Sequence, residues 1–309
     1  MAYNLKEQMS KPERFEAGHR LCAGCGAGIT CRAMMRALNP EDKAVVCNAT
    51  SCLEVSSFQY PYTAWMDSYI HSAFENTSAV AAGVESAYKV LKRKGKIQDN
   101  FKILAIGGDG GTYDIGFQSL SGALERGHDF TYFCYDNEAY MNTGTQRSSA
   151  TPRFASATTT PAGRESVGKK QNQKDLTQIV VAHGSPYVAQ TTFLGSFKDF
   201  HEKAHKAIYT EGPTFVNVLC PCPRGWQYSA ELLPEICRLA VETCVWPLYE
   251  VENSEYHLTY MPKKKRPVEE FMKLQGRFRH CFKPGNEWTI EAAQQYVDEK
   301  WEALLAKCK

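Results

Sequence analysis

A chain of 309 residues with 43% hydrophobic composition holds enough apolar material for one large α/β domain or two small ones. Its formal charge of +2, with Lys and Arg spread along its length, provides no sustained field for nucleic acid or an anionic membrane surface. No stretch approaches the ~18 uncharged apolar residues of a membrane span, and none has the apolar core of a signal peptide. The expected location is the cytoplasm, where thiols stay reduced, so the twelve cysteines are expected to be core filler or metal ligands rather than disulfides.

Along the chain, stretches with apolar residues at helical spacing alternate with short β-branched or aromatic runs. The pattern predicts a helix over 27–38, a strand over 43–49 and a helix over 77–95, then a strand over 101–108. A helix over 116–127, a strand over 130–136 and a helix over 175–184 follow, and then a strand over 186–193, a helix over 197–212 and a strand over 213–219. Nearly continuous apolar strands alternating with helices predict an α/β fold, a mainly parallel sheet covered on both faces. In such sheets ligands bind beyond the carboxyl ends of the strands. Residues 143–174, rich in Thr, Ser, Gly and basic residues, break the rhythm and are expected to be mobile or a working loop. After about residue 228 strands are expected to stop, leaving helices and a hairpin-like stretch over 249–262. The expected organisation is an α/β domain over 1–228 and a helical C-terminal extension over 229–309 that docks on it or on a partner. The basic run "PKKKRP", Pro262 to Pro267, reads as a solvated loop.

"AIGGDGGTYDIG" runs from an apolar strand through Gly107, Gly108, Asp109, Gly110 and Gly111 into a helix expected to start near Asp114 or Ile115. Glycines let a backbone approach an anion while a helix N-terminus faces it, which suits a diphosphate. The stretch lacks the Walker lysine, and an aspartate would repel a dinucleotide's pyrophosphate. An aspartate makes sense there when a divalent cation lies between. After Gly108-Asp109-Gly110 come 26 residues, Gly111 to Asp136, and then Asn137 at the end of the next predicted strand. That spacing is the thiamine-diphosphate motif, in which Asp109, Asn137 and a carbonyl two residues on, here that of Ala139, hold Mg²⁺.

Cys22 and Cys25, in "RLCAGCGAG", cannot complete a four-coordinate metal site by themselves. Cys52 and Cys222, at strand ends, are the candidates to complete it. Cys47 and Cys220 fall within or at the end of strands and are expected to pack, as are Cys31, Cys134, Cys237, Cys244, Cys281 and Cys308. Four thiolates from three separate loops suit either a Cys₄ zinc site or a [4Fe–4S] cluster. The second close CxxC of a zinc ribbon is missing.

With "GHRLCAGCGAGIT", "NATSCLEVSSFQYPYTAW", "YIHSAFEN", "YDNEAYMNTGTQRS" and "LCPCPRGW" added to the GDG block, the chain resembles, over almost its whole length, the β subunits of pyruvate:ferredoxin oxidoreductases in the 2-oxoacid:ferredoxin oxidoreductase family. The resemblance implies the diphosphate-binding half of a thiamine-diphosphate fold. It implies a [4Fe–4S] cluster on Cys22, Cys25, Cys52 and Cys222, with Cys52 also beside the cofactor, and Mg²⁺ on Asp109, Asn137 and the Ala139 carbonyl. Gly108, Gly110 and Gly111 would surround the diphosphate, and Glu138 and Asn142 would form the second cofactor-binding turn, Asn142 in a catalytic role. Relatives often carry Ser-Pro-Cys where this chain has Cys220-Pro221-Cys222, which favours Cys222 as the ligand. The implied activity is oxidative decarboxylation of a 2-oxoacid, pyruvate first, to acyl-CoA and CO₂, with electrons leaving through the cluster to ferredoxin. Oxalate, 2-oxoglutarate and branched-chain 2-oxoacids are the family's other substrates. The implied partners are an α subunit that supplies the other cofactor half and an activating glutamate, ferredoxin-like γ and δ subunits, ferredoxin and coenzyme A. His71, Glu75 and Asn76 line that shared interface or form a helix-start cluster. The rival reading is a non-redox thiamine-diphosphate enzyme with structural zinc.

Overall fold

The computed structural model describes residues 4–308. A short helix, α1 (Leu5–Ser10), capped by the Asn4 side chain, leads to α2 (Gly26–Met35), whose Ala27, Cys31, Met34 and Met35 recur at helical spacing and are buried. The first strand, β1 (Lys43–Ala49), is followed by α3 (Cys52–Ser57), a small ribbon of β2 (Phe58–Gln59) and β3 (Tyr62–Thr63), and β4 (Ser68–Ser72). Then come α4 (Thr77–Arg93), β5 (Phe101–Gly108), one π-helical turn over Gly110–Ile115, α5 (Phe117–Glu125) and β6 (Thr131–Asp136). The long segment after β6 ends in α6 (Leu176–Val181), and β7 (Tyr187–Thr191), α7 (Phe197–Tyr209) and β8 (Thr214–Leu219) complete the alternating part. The remainder forms α8 (Pro223–Trp226), α9 (Leu233–Glu242), the hairpin of β9 (Tyr249–Glu252) and β10 (Glu255–Leu258), α10 (Val268–Lys273), a 3₁₀ stretch Gly276–Phe282 and α11 (Glu287–Leu305).

Eight strands form one sheet in the order β10-β9-β7-β8-β6-β5-β1-β4. The six from β4 to β7 run parallel to one another, and only the β7–β9 and β9–β10 pairings are antiparallel. Side chains alternate between the faces, as the period of two requires. Ile103, Ala105, Tyr132 and Cys134 pack into one core with α4 and α5, and Leu104, Ile106, Phe133 and Tyr135 into the other with α2 and α7. From β1 the chain first goes outward to β4 and then returns across β1 to β5. The order therefore reverses between β1 and β5, and such a switch point opens a crevice at the carboxyl ends of the strands.

Strand formation does not stop at residue 228. The hairpin, turned by Asn253 and Ser254 at φ of 49° and 72°, pairs β9 with β7 and so extends the same sheet. Val268, Met272, Val297, Trp301 and Leu304 then join the core that covers one face of the sheet. β4 escaped the pattern because it is an edge strand with only Ser72 buried, so "SYIHS" carries no apolar run. Among the described residues no helix is long and apolar enough to cross a membrane.

Because Val268, Met272, Val297, Trp301 and Leu304 share a core with the sheet, Trp301→Ala is expected to lower stability by about 3–5 kcal/mol. Urea unfolding should remain one transition with an earlier midpoint. A separate early transition confined to the C-terminal helices would contradict the shared core.

Candidate cofactor and metal site

Parallel register sets the site. Gly108 pairs with Tyr135 across β5 and β6, and Asp136 pairs with Leu219 across β6 and β8. The residues just beyond, Asp109, Asn137 and Cys220, therefore emerge side by side at one edge, and the Cys220 N–H donates to the Asp136 carbonyl at 2.7 Å.

The helix after the glycine loop starts at Gly110 rather than near Asp114, through a π-helical turn, a rare form concentrated at functional sites. Its opening N–H groups thus lie directly beside Asp109. Glycine is required at Gly110, where an added Cβ would fall 2.3 Å from the Tyr140 ring. Asp109 is buried and accepts a hydrogen bond from Ser148 Oγ at 2.5 Å. The Asn137 side-chain amide reaches both other nominated ligands. With its nitrogen turned toward them, it donates to the Ala139 carbonyl at 2.8 Å and to Asp109 Oδ1 at 3.0 Å. With its oxygen turned that way, three oxygens face one another, an arrangement that a divalent cation satisfies and no protein donor does. The donor set fits Mg²⁺.

Between Asn137 and Ala139, Glu138 adopts a φ of 64° and buries its carboxylate against Arg277 Nη2 at 2.5 Å. The Arg277 guanidinium lies 3.7 Å from the centre of the Trp226 ring, and Trp226 Nε1 donates to the Asn137 carbonyl at 2.8 Å. Burial pushes the Asp109 carboxyl up to about 7, against the Ser148 hydrogen bond, and the charge of Glu138 adds to the rise. Burial also raises Asp136, whose carboxyl accepts from Tyr113 Oη at 2.6 Å and from the Glu138 N–H at 2.9 Å.

The four nominated thiols come from the same edge. Cys25 is the N-cap of α2, Cys52 the first residue of α3 and Cys222 the N-cap of α8, where its Sγ accepts from the Gly225 N–H at 3.4 Å. Cys52 and Cys222 thus sit at helix N-termini rather than in bare strand-end loops, and helix N-termini favour negative sulfur. Cys22 is exposed, and its carbonyl accepts from the Cys25 N–H at 3.1 Å. Gly26 seats this loop against the Cys222 loop. Its N–H donates to the Pro221 carbonyl at 3.1 Å, and a Cβ there would meet the Cys220 carbonyl carbon at 2.8 Å. Burial pushes the Cys52 thiol up to about 12, and charge on Cys222, Cys25, Asp109 and Cys22 would push it further. The four sulfurs therefore lie within electrostatic reach of one another. Among the described residues, however, no three His, Cys, Asp or Glu side chains form a group that could hold a metal ion. Cys31, Cys47, Cys134, Cys220, Cys237, Cys244 and Cys281 are buried, and Cys308 is half-buried.

Residues 143–174 are partly packed into the fold. Ser148, Thr151, Phe154, Ala155 and Lys169 are buried, and Lys169 Nζ donates to the carbonyls of Ser149 and Thr151. Asn142 is exposed in the turn beyond Ala139, and Gly108 and Gly111 lie against Tyr135 and the Phe74 carbonyl. His71 Nε2 is 2.8 Å from Thr50 Oγ1 and 3.8 Å from Glu54 Oε1, and Asn76 makes no side-chain cap for α4. Sequence reasoning did not single out Ser148, Trp226 or Arg277.

Residues 44–218 match the thiamine pyrophosphate enzyme, C-terminal TPP binding domain, family. The chain is 52% identical over 299 residues to pyruvate synthase subunit PorB of Methanocaldococcus jannaschii, covering 96% of this chain and 98% of that one. It is 50% identical over 313 residues to PorB of Thermotoga maritima, covering 99% and 96%. It is 44% identical over 305 residues to ketoisovalerate oxidoreductase subunit VorB of Pyrococcus furiosus, covering 97% and 96%. The solved 2-oxoglutarate:ferredoxin oxidoreductase from Magnetococcus marinus, with 2-oxoglutarate, coenzyme A and succinyl-CoA bound, shares the fold. It has a TM-score of 0.57 and 23% identity, covering 73% of this chain and 79% of that one. The fold and the glycine-aspartate edge thus define a thiamine-diphosphate enzyme chain. Within that class it belongs to the family of pyruvate synthase PorB subunits, the β subunits of 2-oxoacid:ferredoxin oxidoreductases.

A carboxyl raised in the folded state keeps its proton there after the unfolded chain has lost it. The Asp109 contribution to stability is therefore complete below about pH 4 and is lost as pH rises toward about 7. A divalent cation held there would compete with that proton, so Mg²⁺ binding is expected to tighten over the same interval. Magnesium titrations from about pH 5 to about pH 8 should show this slope, and Asp109→Asn should abolish both affinity and slope.

Proposed function

We propose that this chain is the catalytic β subunit of a pyruvate:ferredoxin oxidoreductase that converts pyruvate and coenzyme A to acetyl-CoA and CO₂ and passes the electrons to ferredoxin. The observation that carries the reading is near-full-length identity to PorB subunits in a chain that keeps Asp109, Asn137 and the Ala139 carbonyl together. Bound at this edge, thiamine diphosphate supplies the electron sink for decarboxylation of a 2-oxoacid. Asp109, the Asn137 side chain and the Ala139 carbonyl hold Mg²⁺, with Ser148 fixing the Asp109 carboxylate. Gly108, Gly110 and Gly111 let the backbone face the diphosphate, and Asn142 borders the substrate from the exposed end of the turn.

Cys22, Cys25, Cys52 and Cys222 hold a [4Fe–4S] cluster. Zinc would draw all four sulfurs to one ion, whereas in a four-iron cube each thiolate binds its own iron. The near-full-length relatives are pyruvate synthase subunits, whose oxidative chemistry releases electrons, and zinc is redox-inert, which favours the cube. The family match covers the C-terminal TPP binding domain, so an α subunit supplies the other half of the cofactor site and the activating glutamate. Ferredoxin-like γ and δ subunits carry the electrons on, and unpaired cysteines throughout the chain suit the cytoplasm. A branched-chain 2-oxoacid is the second reading, because the VorB identity of 44% falls inside the 43–52% span of the PorB relatives.

Anaerobic turnover by the assembled complex tests the substrate: pyruvate should outpace 2-ketoisovalerate, and the reverse order would select the second reading. The isolated chain is expected to show no decarboxylation, and activity from it alone would overturn the need for an α subunit. Cys22→Ser should remove iron, sulfide and ferredoxin reduction while leaving thiamine diphosphate bound. Retained ferredoxin reduction, or zinc in place of iron in the wild type, would sink the cluster assignment.

A further inference from the structure

Glu138 lies between the two residues that offer Mg²⁺ an amide oxygen and a carbonyl, in a left-handed conformation that costs a non-glycine residue free energy unless its surroundings impose it. Three contacts impose it. The Glu138 N–H donates to Asp136 Oδ1 at 2.9 Å, its carbonyl accepts from Thr151 Oγ1 at 2.5 Å, and its carboxylate accepts from Arg277 Nη2 at 2.5 Å. Arg277 is itself held. Its Nε donates to Gln275 Oε1 at 2.8 Å, and its carbonyl accepts from the Ser156 N–H at 2.9 Å.

Arg277 also reaches the turn by a second route. Its guanidinium plane packs 3.7 Å from the centre of the Trp226 ring, and Trp226 Nε1 holds the Asn137 carbonyl at 2.8 Å. Trp226 ends α8, the helix that Cys222 caps, so one guanidinium ties the metal turn to the thiol loop. Only 3% of the Arg277 side chain and 1% of the Glu138 side chain are exposed, so water cannot replace either contact.

We propose that Arg277 is a positioning residue for the metal-binding turn, holding Asn137 and Ala139 in the register that Mg²⁺ requires through Glu138 on one side and Trp226 on the other. This rests on the assignment of Mg²⁺ to Asp109, Asn137 and Ala139. Lysine keeps the charge but cannot combine a planar stack with a forked donor, and methionine keeps neither charge nor donors.

The test is the Mg²⁺ dissociation constant at saturating thiamine diphosphate, measured by calorimetry on the chelator-treated complex, with thermal midpoints alongside. Arg277→Met should weaken Mg²⁺ binding about 10–100-fold, the range for residues that orient metal ligands. Arg277→Lys should restore part of it, and Glu138→Gln should weaken binding in the same direction. The double variant Glu138→Gln/Arg277→Met should lose less than the two single losses combined. Unchanged Mg²⁺ affinity in Arg277→Met, with only the thermal midpoint lowered, would overturn the inference. If that variant does not assemble, Arg277→Lys and Glu138→Gln carry the same comparison, and wild-type affinity in both would overturn it. Asp109→Asn that binds Mg²⁺ as the wild type does would overturn the metal assignment instead.

Discussion

Three carboxyl groups, Asp109, Asp136 and Glu138, are buried at the ends of two adjoining strands, and of these only Glu138 has an ion-pair partner among the described residues. Buried negative charge is costly unless it is paired, protonated or bound to a metal. Arg277 pairs with Glu138, burial favours the proton on Asp136 and Asp109, and on the proposed assignment Asp109 exchanges that proton for a cation. The metal on this reading completes an electrostatic arrangement that the fold sets up and leaves unbalanced.

The rest of the edge follows from the register of the parallel sheet. A one-residue slip between β5 and β6 would move Asp109 away from Asn137 and turn every side chain of the strand to the wrong face. Both faces of the sheet are covered by apolar cores, so such a slip would drive Leu104 and Ile106, or Phe133 and Tyr135, into the opposite core and mispack both. The core that gives the sheet its stability is therefore also what aligns the ligands. Gly26 and Gly110 act in the same sense. Each gives up a side chain so that two loops of distant sequence can touch.

Much of this was legible in the sequence because it is local. The strands over 43–49 and 101–108 carry continuous apolar runs, and the structure begins and ends them at those residues. The distance from Asp109 to Asn137 is one helix and one strand, so spacing alone brought them to neighbouring strand ends. What spacing cannot show is pairing across long separations. Arg277 follows a glycine in a charged stretch and reads as surface until the fold buries it against Glu138. Ser148 was hidden in a polar segment with no periodicity, whose order comes from packing under Asp109 rather than from propensity. The edge strand Ser68–Ser72 was missed for the opposite reason, since it buries too little to need a pattern.

The contact of Gly26 with the Cys220–Pro221 backbone has a consequence for how the protein is made. Cys22 leaves the ribosome long before Cys222, and β1, β5, β6 and β8 must all be in place before the two loops meet. Under the proposed cluster assignment the four thiols come together only once β8 has joined the sheet, so iron and sulfide would be delivered to a polypeptide that is already folded. The exposed Cys22 then marks the side from which a donor could approach.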